Sequence, residues 1–346
     1  MSAEQPLVYK RDDFRSDQVI RWCPGCGDYA ILAQVQRMMP AICEQTQTPK
    51  ENVVFISGIG CSSRFPYYMD TYGFHTIHGR APAVALGLKL ARPELQVWIV
   101  TGDGDGLSIG GNHLVHALRR NFDAKILLFN NRIYGLTKGQ YSPTSEFGKK
   151  TRSSPYGVTA QPLNAMALAL ASRASFVART IDTETRHLQE MILRAANHRG
   201  SAFVEILQNC NIFNDGAFDD VKGRDVKAER LLHLRDGAPL LFGSDEDKLL
   251  VPAAVSDPNC YLAVADAASI TQPALVHDEA SANEAYAYGL ANMEPPTHPL
   301  PIGVIRAVEQ PTYEDLVEQQ IEDARTRHGP GDLASLLDAG ECWTVD

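Results

Sequence analysis

The fold is decided by VWIVTGDGDG, residues 97–106, in which an apolar run leads directly into glycines and two aspartates. A short apolar run that ends at a glycine turn and is followed by helical spacing is typical of a buried strand in a parallel sheet. Glycine has no Cβ, so the turn lets the backbone approach a ligand closely. Asp103 and Asp105 would repel a bare diphosphate unless a divalent cation lay between them. The stretch therefore predicts a strand, a turn and a helix next to a magnesium-bound diphosphate.

Apolar runs and segments of helical spacing alternate on both sides of this stretch. Strands are predicted at residues 53–56, 97–100, 126–129, 175–178 and 202–207. Helices are predicted from Asp28, which is a plausible N-cap, and at residues 83–91, 109–120, 162–172 and 184–196. This alternation predicts an α/β fold, a doubly wound parallel sheet with helices on both faces and ligands at the carboxyl ends of its strands.

The pattern divides the chain into three segments. Residues 1–20 form a polar N-terminal segment, and residues 21–215 carry the strand and helix alternation. Residues 216–346 are rich in proline, and we expect an irregular C-terminal arm whose only regular element is a helix at 313–327. We see no internal repeat.

Composition excludes several classes of protein. The 346 residues carry a formal net charge of -10, which argues against nucleic acid as a partner because that requires a concentrated basic face. The apolar runs are far shorter than the roughly 20 residues of a bilayer helix, so we expect no membrane contact. The first 20 residues are charged and lack an apolar targeting core, so we expect a cytoplasmic protein.

A pair of asparagines closes the next predicted strand. Asn130 and Asn131 follow Phe129, and residues 105–129, twenty-five in number, separate them from Gly104. A Gly-Asp-Gly triplet and an Asn-Asn pair at this spacing resemble the signature of thiamine diphosphate enzymes. The alternative is a Gly-Asp turn with a chance Asn-Asn pair. The resemblance implies that magnesium is bound by Asp103, by the side-chain oxygen of Asn131 and by the carbonyl of Ile133.

Four of the seven cysteines lie where ligand sites form. Cys23 and Cys26 make a C-x-x-C pair, and Cys61 and Cys210 each follow a predicted strand. Four thiolates hold either structural zinc or an iron-sulfur cluster, and their spacing does not choose between the two. The position of Cys61 in a glycine-rich loop next to the expected cofactor favours an electron carrier. Three further cysteines have no such context and are expected to be spare thiols: Cys43, Cys260 and Cys342.

With both elements in place, the chain resembles the β subunits of 2-oxoacid:ferredoxin oxidoreductases of the two-subunit, 2-oxoglutarate type. The resemblance covers about residues 21–218. It implies that Cys23, Cys26, Cys61 and Cys210 bind one 4Fe-4S cluster. It also implies that a further set of residues contacts thiamine diphosphate: Ile59, Gly60, Cys61, Ser62, His78, Gly104, Asp105, Gly135 and Leu136. His78 is then a catalytic residue that hydrogen-bonds substrate or cofactor, and Lys138 handles coenzyme A.

The implied reaction is the oxidative decarboxylation of 2-oxoglutarate with coenzyme A to succinyl-CoA and CO2, with electrons passing through the cluster to ferredoxin. Because only one α/β domain is visible, an α subunit is expected to hold the aminopyrimidine ring, in an (αβ)2 assembly. Three alternatives stay open: a pyruvate-specific enzyme of the same family, a non-redox thiamine diphosphate lyase or synthase, and a zinc-stabilised nucleotide-binding module without catalysis.

Overall fold

The computed structural model describes residues 7–253, 262–269 and 273–340, together with Trp343 and Val345. Its strands are β1 (Val53–Ser57), β2 (Tyr72–His75), β3 (Gln96–Gly102), β4 (Ala124–Asn130), β5 (Phe176–Ile181), β6 (Ser201–Leu207), β7 (Leu231–His233), β8 (Leu241–Phe242), β9 (Lys248–Pro252), β10 (Leu262–Asp266) and β11 (Leu300–Ala307). Its α-helices are α1 (Asp28–Thr46), α2 (Phe65–Tyr68), α3 (Ala81–Ala91), α4 (Gly111–Arg120), α5 (Ala165–Ala171), α6 (Thr185–Asn197), α7 (Asp219–Lys222), α8 (Lys227–Arg230), α9 (Glu284–Ala291), α10 (Tyr313–His328) and α11 (Leu333–Asp338).

Eight strands form one sheet in the order β2-β1-β3-β4-β6-β5-β11-β7. Its neighbouring strands run parallel, except that β11 is antiparallel to β5. Strands β8, β9 and β10 form a separate antiparallel sheet. The predicted fold class is therefore confirmed: a mostly parallel sheet whose strands read as continuous apolar runs because both faces are covered.

Two hydrophobic cores lie on opposite faces of the large sheet. Ile99 of β3 belongs to the core that also includes residues of α3, α4, α5 and α9. Trp98, next to it on the same strand, belongs to the core covered by α1 and α6. Successive side chains of a strand point to opposite faces, so β3 contributes to both cores and is fixed in position at the centre of the sheet.

The predicted helices and strands up to residue 207 are present, with ends shifted by a few residues. The prediction that Asp28 is an N-cap was wrong. Gly27 occupies the N-cap position, and Asp28 is the first residue of α1, 1% exposed. Its carboxyl turns into the protein next to Cys26, and burial raises the pKa of Asp28 to about 7.

The C-terminal segment holds more regular structure than predicted. The helix at 313–327 is present as α10, but the prediction that it is the only regular element after residue 215 was wrong for the described residues. Strands β7 and β11 extend the large sheet, although Pro301 lies in β11. Proline is tolerated near the start of a strand, so frequent prolines did not exclude one here.

The division at residue 215 remains a prediction, and Cys260 and Cys342 lie outside the described residues. Within the described ranges, none of the helices is both long enough and apolar enough to cross a membrane.

Candidate functional site

The register of the sheet places the predicted motifs along one edge. Gly102 at the end of β3 is paired with Phe129 of β4, so the turns that follow these residues are neighbours. Asn130 in turn is paired with Leu207 at the end of β6. The aspartate turn, the asparagine pair and the segment leading to Cys210 therefore meet at the carboxyl ends of three adjacent strands, where α/β folds bind ligands.

Asp103 is a buried carboxylate whose side-chain partners are hydroxyl groups. Its Oδ2 accepts hydrogen bonds from Ser142 Oγ at 2.5 Å and from Thr144 Oγ1 at 2.6 Å. Burial raises the pKa of Asp103 to about 6, although these hydroxyls oppose the rise. Among the described residues, no lysine or arginine forms an ion pair with Asp103. A buried carboxylate with oxygen-bearing neighbours and no cation suits a divalent metal ion.

Asn131 and Ile133 lie in the turn that follows β4. Asn131 Oδ1 accepts a hydrogen bond from the backbone N–H of Ile133 at 3.1 Å. The backbone carbonyl of Asn131 accepts one from Asn214 Nδ2 at 2.8 Å. The structure thus brings Asn131 and Ile133 to the same sheet edge as Asp103. Their coordination of magnesium remains a prediction.

Asp105 braces two loops around the site. Its Oδ1 accepts from the backbone N–H groups of Ile59 at 3.0 Å and of Gly79 at 2.8 Å, and its Oδ2 accepts from Thr101 Oγ1 at 2.6 Å. His78 Nδ1 also lies 2.6 Å from Oδ1, a contact at ion-pair distance that lacks hydrogen-bond alignment. The carboxylate of Asp105 therefore holds the loop predicted to contact the cofactor and places His78 at its rim.

Gly104 is required by its contact with Tyr134. The Tyr134 hydroxyl donates to the Gly104 carbonyl at 2.8 Å. A Cβ at position 104 would lie 2.3 Å from a carbon of the Tyr134 ring. A side chain at position 104 would overlap the ring, so glycine allows Tyr134 to pack directly against the backbone of this turn.

Leu136 and Lys138 project from a tight loop that follows Tyr134. The loop is closed by a hydrogen bond from the Tyr134 N–H to the Gln140 carbonyl at 2.9 Å. Lys138 has a φ of 76°, and both side chains are exposed. Leu136 lines an open cavity of about 600 Å³ together with Ile59 and Gly60. The structure therefore brings two of the predicted cofactor loops to one opening.

Cys61 and Cys210 lie on either side of Gly135. A Cβ at this glycine would lie 3.6 Å from Cys61 Sγ and 3.5 Å from Cys210 Sγ. The carbonyl of Cys61 accepts a hydrogen bond from Trp22 Nε1 at 2.7 Å, which fixes its loop. The sulfurs of Cys61 and Cys210 therefore both lie within contact distance of the same glycine.

Cys23 and Cys26 form a turn tied to the Cys210 segment. The Cys26 N–H donates to the Cys23 carbonyl at 3.1 Å, and Gly25 has a φ of 84°, which favours glycine. Asn211 Nδ2 donates to the carbonyl of Pro24 at 2.7 Å, which joins the turn to the fourth cysteine. All four predicted cluster ligands thus lie in mutually connected loops.

Burial is the main influence on the thiols of this site. In the described part of the chain, no three His, Cys, Asp or Glu side chains converge on one metal ion. Burial raises the pKa of Cys61 to about 12 and that of Cys26 further. Positive iron would compensate for the cost of such buried thiolates.

The sequence did not reveal the hydroxyl groups around Asp103. Ser142 and Thr144 come from a loop outside the Gly-Asp-Gly and Asn-Asn motifs. Serine and threonine are common in loops, so no pattern marked these two. Only the folded chain shows that the loop carrying them returns to the end of β3.

Comparisons with known proteins agree on one family. Residues 58–206 match the family described as thiamine pyrophosphate enzyme, C-terminal TPP binding domain. The 2-oxoglutarate oxidoreductase subunit KorB of Mycobacterium tuberculosis is 50% identical, and the match covers 100% of this chain and 90% of the relative. The 2-oxoacid:ferredoxin oxidoreductase 1 subunit beta of Aeropyrum pernix is 42% identical, over 70% of this chain and 74% of the relative.

A solved structure is similar over nearly the whole chain. It is a 2-oxoglutarate:ferredoxin oxidoreductase from Magnetococcus marinus with 2-oxoglutarate, coenzyme A and succinyl-CoA bound. The TM-score is 0.74 at 32% identity, and the match covers 96% of this chain and 97% of the other.

Proposed function

The chain belongs to the β subunits of the 2-oxoacid:ferredoxin oxidoreductases, and on that premise we propose that it works with an α subunit to oxidise 2-oxoglutarate to succinyl-CoA and CO2. The names of its relatives and the substrate bound by the Magnetococcus enzyme favour 2-oxoglutarate. Pyruvate is the alternative substrate. It lacks the distal carboxylate of 2-oxoglutarate, and we propose that the α subunit supplies the cation that recognises this group.

The observation that carries the proposal is the buried, cation-free carboxylate of Asp103 next to the Asn-Asn turn. Asp103, the Asn131 side-chain oxygen and the Ile133 carbonyl would hold magnesium, which anchors the diphosphate of thiamine diphosphate. The bound cofactor supplies the electron sink for decarboxylation. Around it, the chain positions its own groups: Asp105 holds the Ile59–Ser62 loop, and Gly104 allows Tyr134 to pack against the aspartate turn. Gly60 and Leu136 line the opening.

His78 is the residue we propose for hydrogen bonding to the substrate. Asp105 Oδ1 lies next to its Nδ1, and a carboxylate in that place orients the ring and leaves Nε2 for the ligand. Lys138, exposed on its loop, is proposed to attract the phosphates of coenzyme A. Neither role requires movement of the sheet.

Cys23, Cys26, Cys61 and Cys210 are proposed to hold one 4Fe-4S cluster that passes electrons to ferredoxin. The proposal is supported by the hydrogen bonds that join the loops of the four cysteines and by the position of the Cys61 and Cys210 sulfurs next to Gly135. An (αβ)2 assembly, with an α subunit holding the aminopyrimidine ring, would complete the site.

The test is anaerobic co-expression with the α subunit, followed by coenzyme A-dependent dye reduction with 2-oxoglutarate and with pyruvate. Turnover with 2-oxoglutarate and about four iron and four acid-labile sulfide atoms per chain are expected. Consumption of the 2-oxo acid without dye reduction, by a protein that binds thiamine diphosphate but no iron, would indicate a non-redox thiamine enzyme. Bound zinc without thiamine would indicate a nucleotide-binding module.

Asp103→Ala tests the metal site separately. The variant should lose bound thiamine diphosphate and magnesium while it keeps its iron, because the two sites share no ligand. Unchanged thiamine content in the purified variant would contradict the assignment of Asp103.

A further inference from the structure

A chain of buried polar groups crosses four strands and ends at Asp103. Arg179 of β5 donates from Nε to Glu205 Oε2 of β6 at 2.7 Å. Glu205 Oε1 accepts from Nδ2 of Asn130, at the end of β4, at 2.7 Å. Asn130 Oδ1 lies 2.9 Å from Thr144 Oγ1, which lies 2.6 Å from Asp103 Oδ2. All five side chains belong to residues at most 5% exposed.

The ion pair at the start of this chain is costly for a sheet interior. Arg179 and Glu205 are register partners on strands whose other residues include Val177, Phe203 and Val204, all fully buried. A buried ion pair often contributes no more stability than well-packed apolar residues of the same size. Stability alone therefore gives no reason for charges at these two positions, and their contacts point toward the site.

Glu205 determines which way the Asn130 amide faces. A carboxylate only accepts hydrogen bonds, so the Asn130 NH2 group must lie on the Glu205 side and its oxygen on the Thr144 side. Arg179 likewise only donates, so one oxygen of residue 205 must always face it. The backbone N–H of Arg132, which donates to Asn130 Oδ1 at 3.3 Å, supports the same orientation. Glu205 is the acceptor that holds the NH2 side of the amide.

The amide orientation in turn affects Asp103. Thr144 has one hydroxyl proton and three oxygens within reach: Asp103 Oδ2 at 2.6 Å, Asn130 Oδ1 at 2.9 Å and the more distant Ser142 Oγ at 3.3 Å. Because Asn130 presents its oxygen, it competes for that proton. Asp103 then receives less hydrogen bonding from Thr144, and more of its negative charge is available to a cation.

We infer that Glu205, held by Arg179, is a positioning residue that strengthens Asp103 as a magnesium ligand through Asn130 and Thr144. The inference rests on the proposed metal site. Neither Glu205 nor Arg179 touches the metal in this arrangement, so their effect is on affinity for the ion.

Glu205→Gln provides the sharpest test. Its side-chain oxygen must stay on Arg179, so its NH2 group faces Asn130 and forces that amide to turn over. Asn130 then donates to Thr144, and Thr144 donates fully to Asp103. Because this stronger hydrogen bond competes with the ion for the carboxylate, we expect the dissociation constant for Mg2+ to rise about tenfold, which corresponds to about 1.4 kcal/mol.

The measurement is calorimetric titration of MgCl2 into the EDTA-treated complex with its α subunit, at fixed thiamine diphosphate. Asp123→Asn is the matched control, since Asp123 also pairs with buried lysines, Lys89 at 3.2 Å and Lys125 at 2.5 Å, but precedes the amino end of β4. It should leave the Mg2+ dissociation constant within about twofold of wild type, even if it lowers thermal stability.

A second variant protects the test against a folding defect. The double substitution Arg179→Met and Glu205→Leu replaces the pair with apolar residues and releases Asn130, so it should also weaken Mg2+ binding while the fold persists. Wild-type affinity in either folded variant overturns the inference. Absence of Mg2+ binding by the wild-type complex would instead overturn the proposed metal site, and the inference with it.

Discussion

Asp103→Asn should make the metal-free protein more stable near pH 8 while it abolishes magnesium-dependent binding of thiamine diphosphate. Asp103 is 2% exposed and pairs with no cation among the described residues, so its ionised form is poorly solvated. Asparagine keeps the size of the side chain and can still hydrogen-bond Ser142 and Thr144, whose hydroxyls rotate to donate or accept. The substitution removes the buried charge and also removes the metal ligand.

The magnitude follows from the raised pKa. The Asp103 carboxyl ionises at about 6 in the folded chain, against 3.8 for an unperturbed aspartate. Between these values the unfolded chain has released the proton and the folded chain has kept it, so stability falls as pH rises through this window. A difference of about two pKa units corresponds to about 3 kcal/mol lost above pH 6. The unfolding free energy of the Asp103→Asn variant at pH 8 should exceed that of wild type by up to this amount, reduced by any weakening of the hydrogen bonds at residue 103.

The assay is denaturant unfolding of the EDTA-treated complex at pH 8 and at pH 5. The variant should exceed wild type at pH 8, and its advantage should shrink at pH 5, where Asp103 of the folded wild type is mostly protonated. Added Mg2+ with thiamine diphosphate should stabilise wild type alone. Asp123→Asn is the control and should lower stability at pH 8, because the charges of Lys125 and Lys89 outweigh the effect of burial and lower the pKa of Asp123. A metal-free Asp103→Asn variant no more stable than wild type at pH 8 would refute the reasoning.

Three further outcomes are expected. Gly104→Ala should cost about 1–3 kcal/mol of unfolding free energy, because its Cβ meets the Tyr134 ring at 2.3 Å, and adding Tyr134→Ala should restore part of the loss; an unchanged melting temperature would contradict the contact. Burial lowers the pKa of His198 to about 4, so wild-type stability should fall as pH drops from 7 to 5, and His198→Gln should lessen that fall; equal pH slopes of unfolding free energy would exclude the residue as the cause. Cys43→Ser should retain the iron content of wild type, whereas serine in place of any proposed cluster ligand should lower the iron content; the ligands are Cys23, Cys26, Cys61 and Cys210. A serine variant that keeps its full iron content would show that the replaced cysteine is not a ligand.

The central sheet was predictable because its strands are apolar on both faces. The strand ending at Gly102 and the strand ending at Asn130 were found from their apolar runs and their glycine or asparagine ends. Short strands gave no such signal. The four residues of β2 are all exposed, and β7 has three residues, so neither contains an apolar run long enough to recognise.

The site was predictable where its residues carry a fixed spacing and not where contacts come from distant loops. Asp103 and Asn131 belong to a motif whose spacing follows from one strand-helix-strand unit. Thr144 reaches Asp103 from a loop after β4, and Glu205 acts from within a strand that reads as ordinary sheet. For Asp28 the sequence suggested a role that the structure does not show. Its residue type suits an N-cap, but its side chain is turned inward from the first position of the helix.

Strand β11 has a consequence for how the chain is made. It pairs with β5, yet it leaves the ribosome after more than a hundred intervening residues. The four proposed cluster cysteines and the diphosphate edge all precede residue 211, so they can assemble on the nascent chain first. Meanwhile β5 presents an open, apolar edge, and at roughly 5–20 residues per second this lasts on the order of 10 s. The chain is therefore most prone to aggregate during its own translation, after its active-site edge is complete and before its sheet is closed.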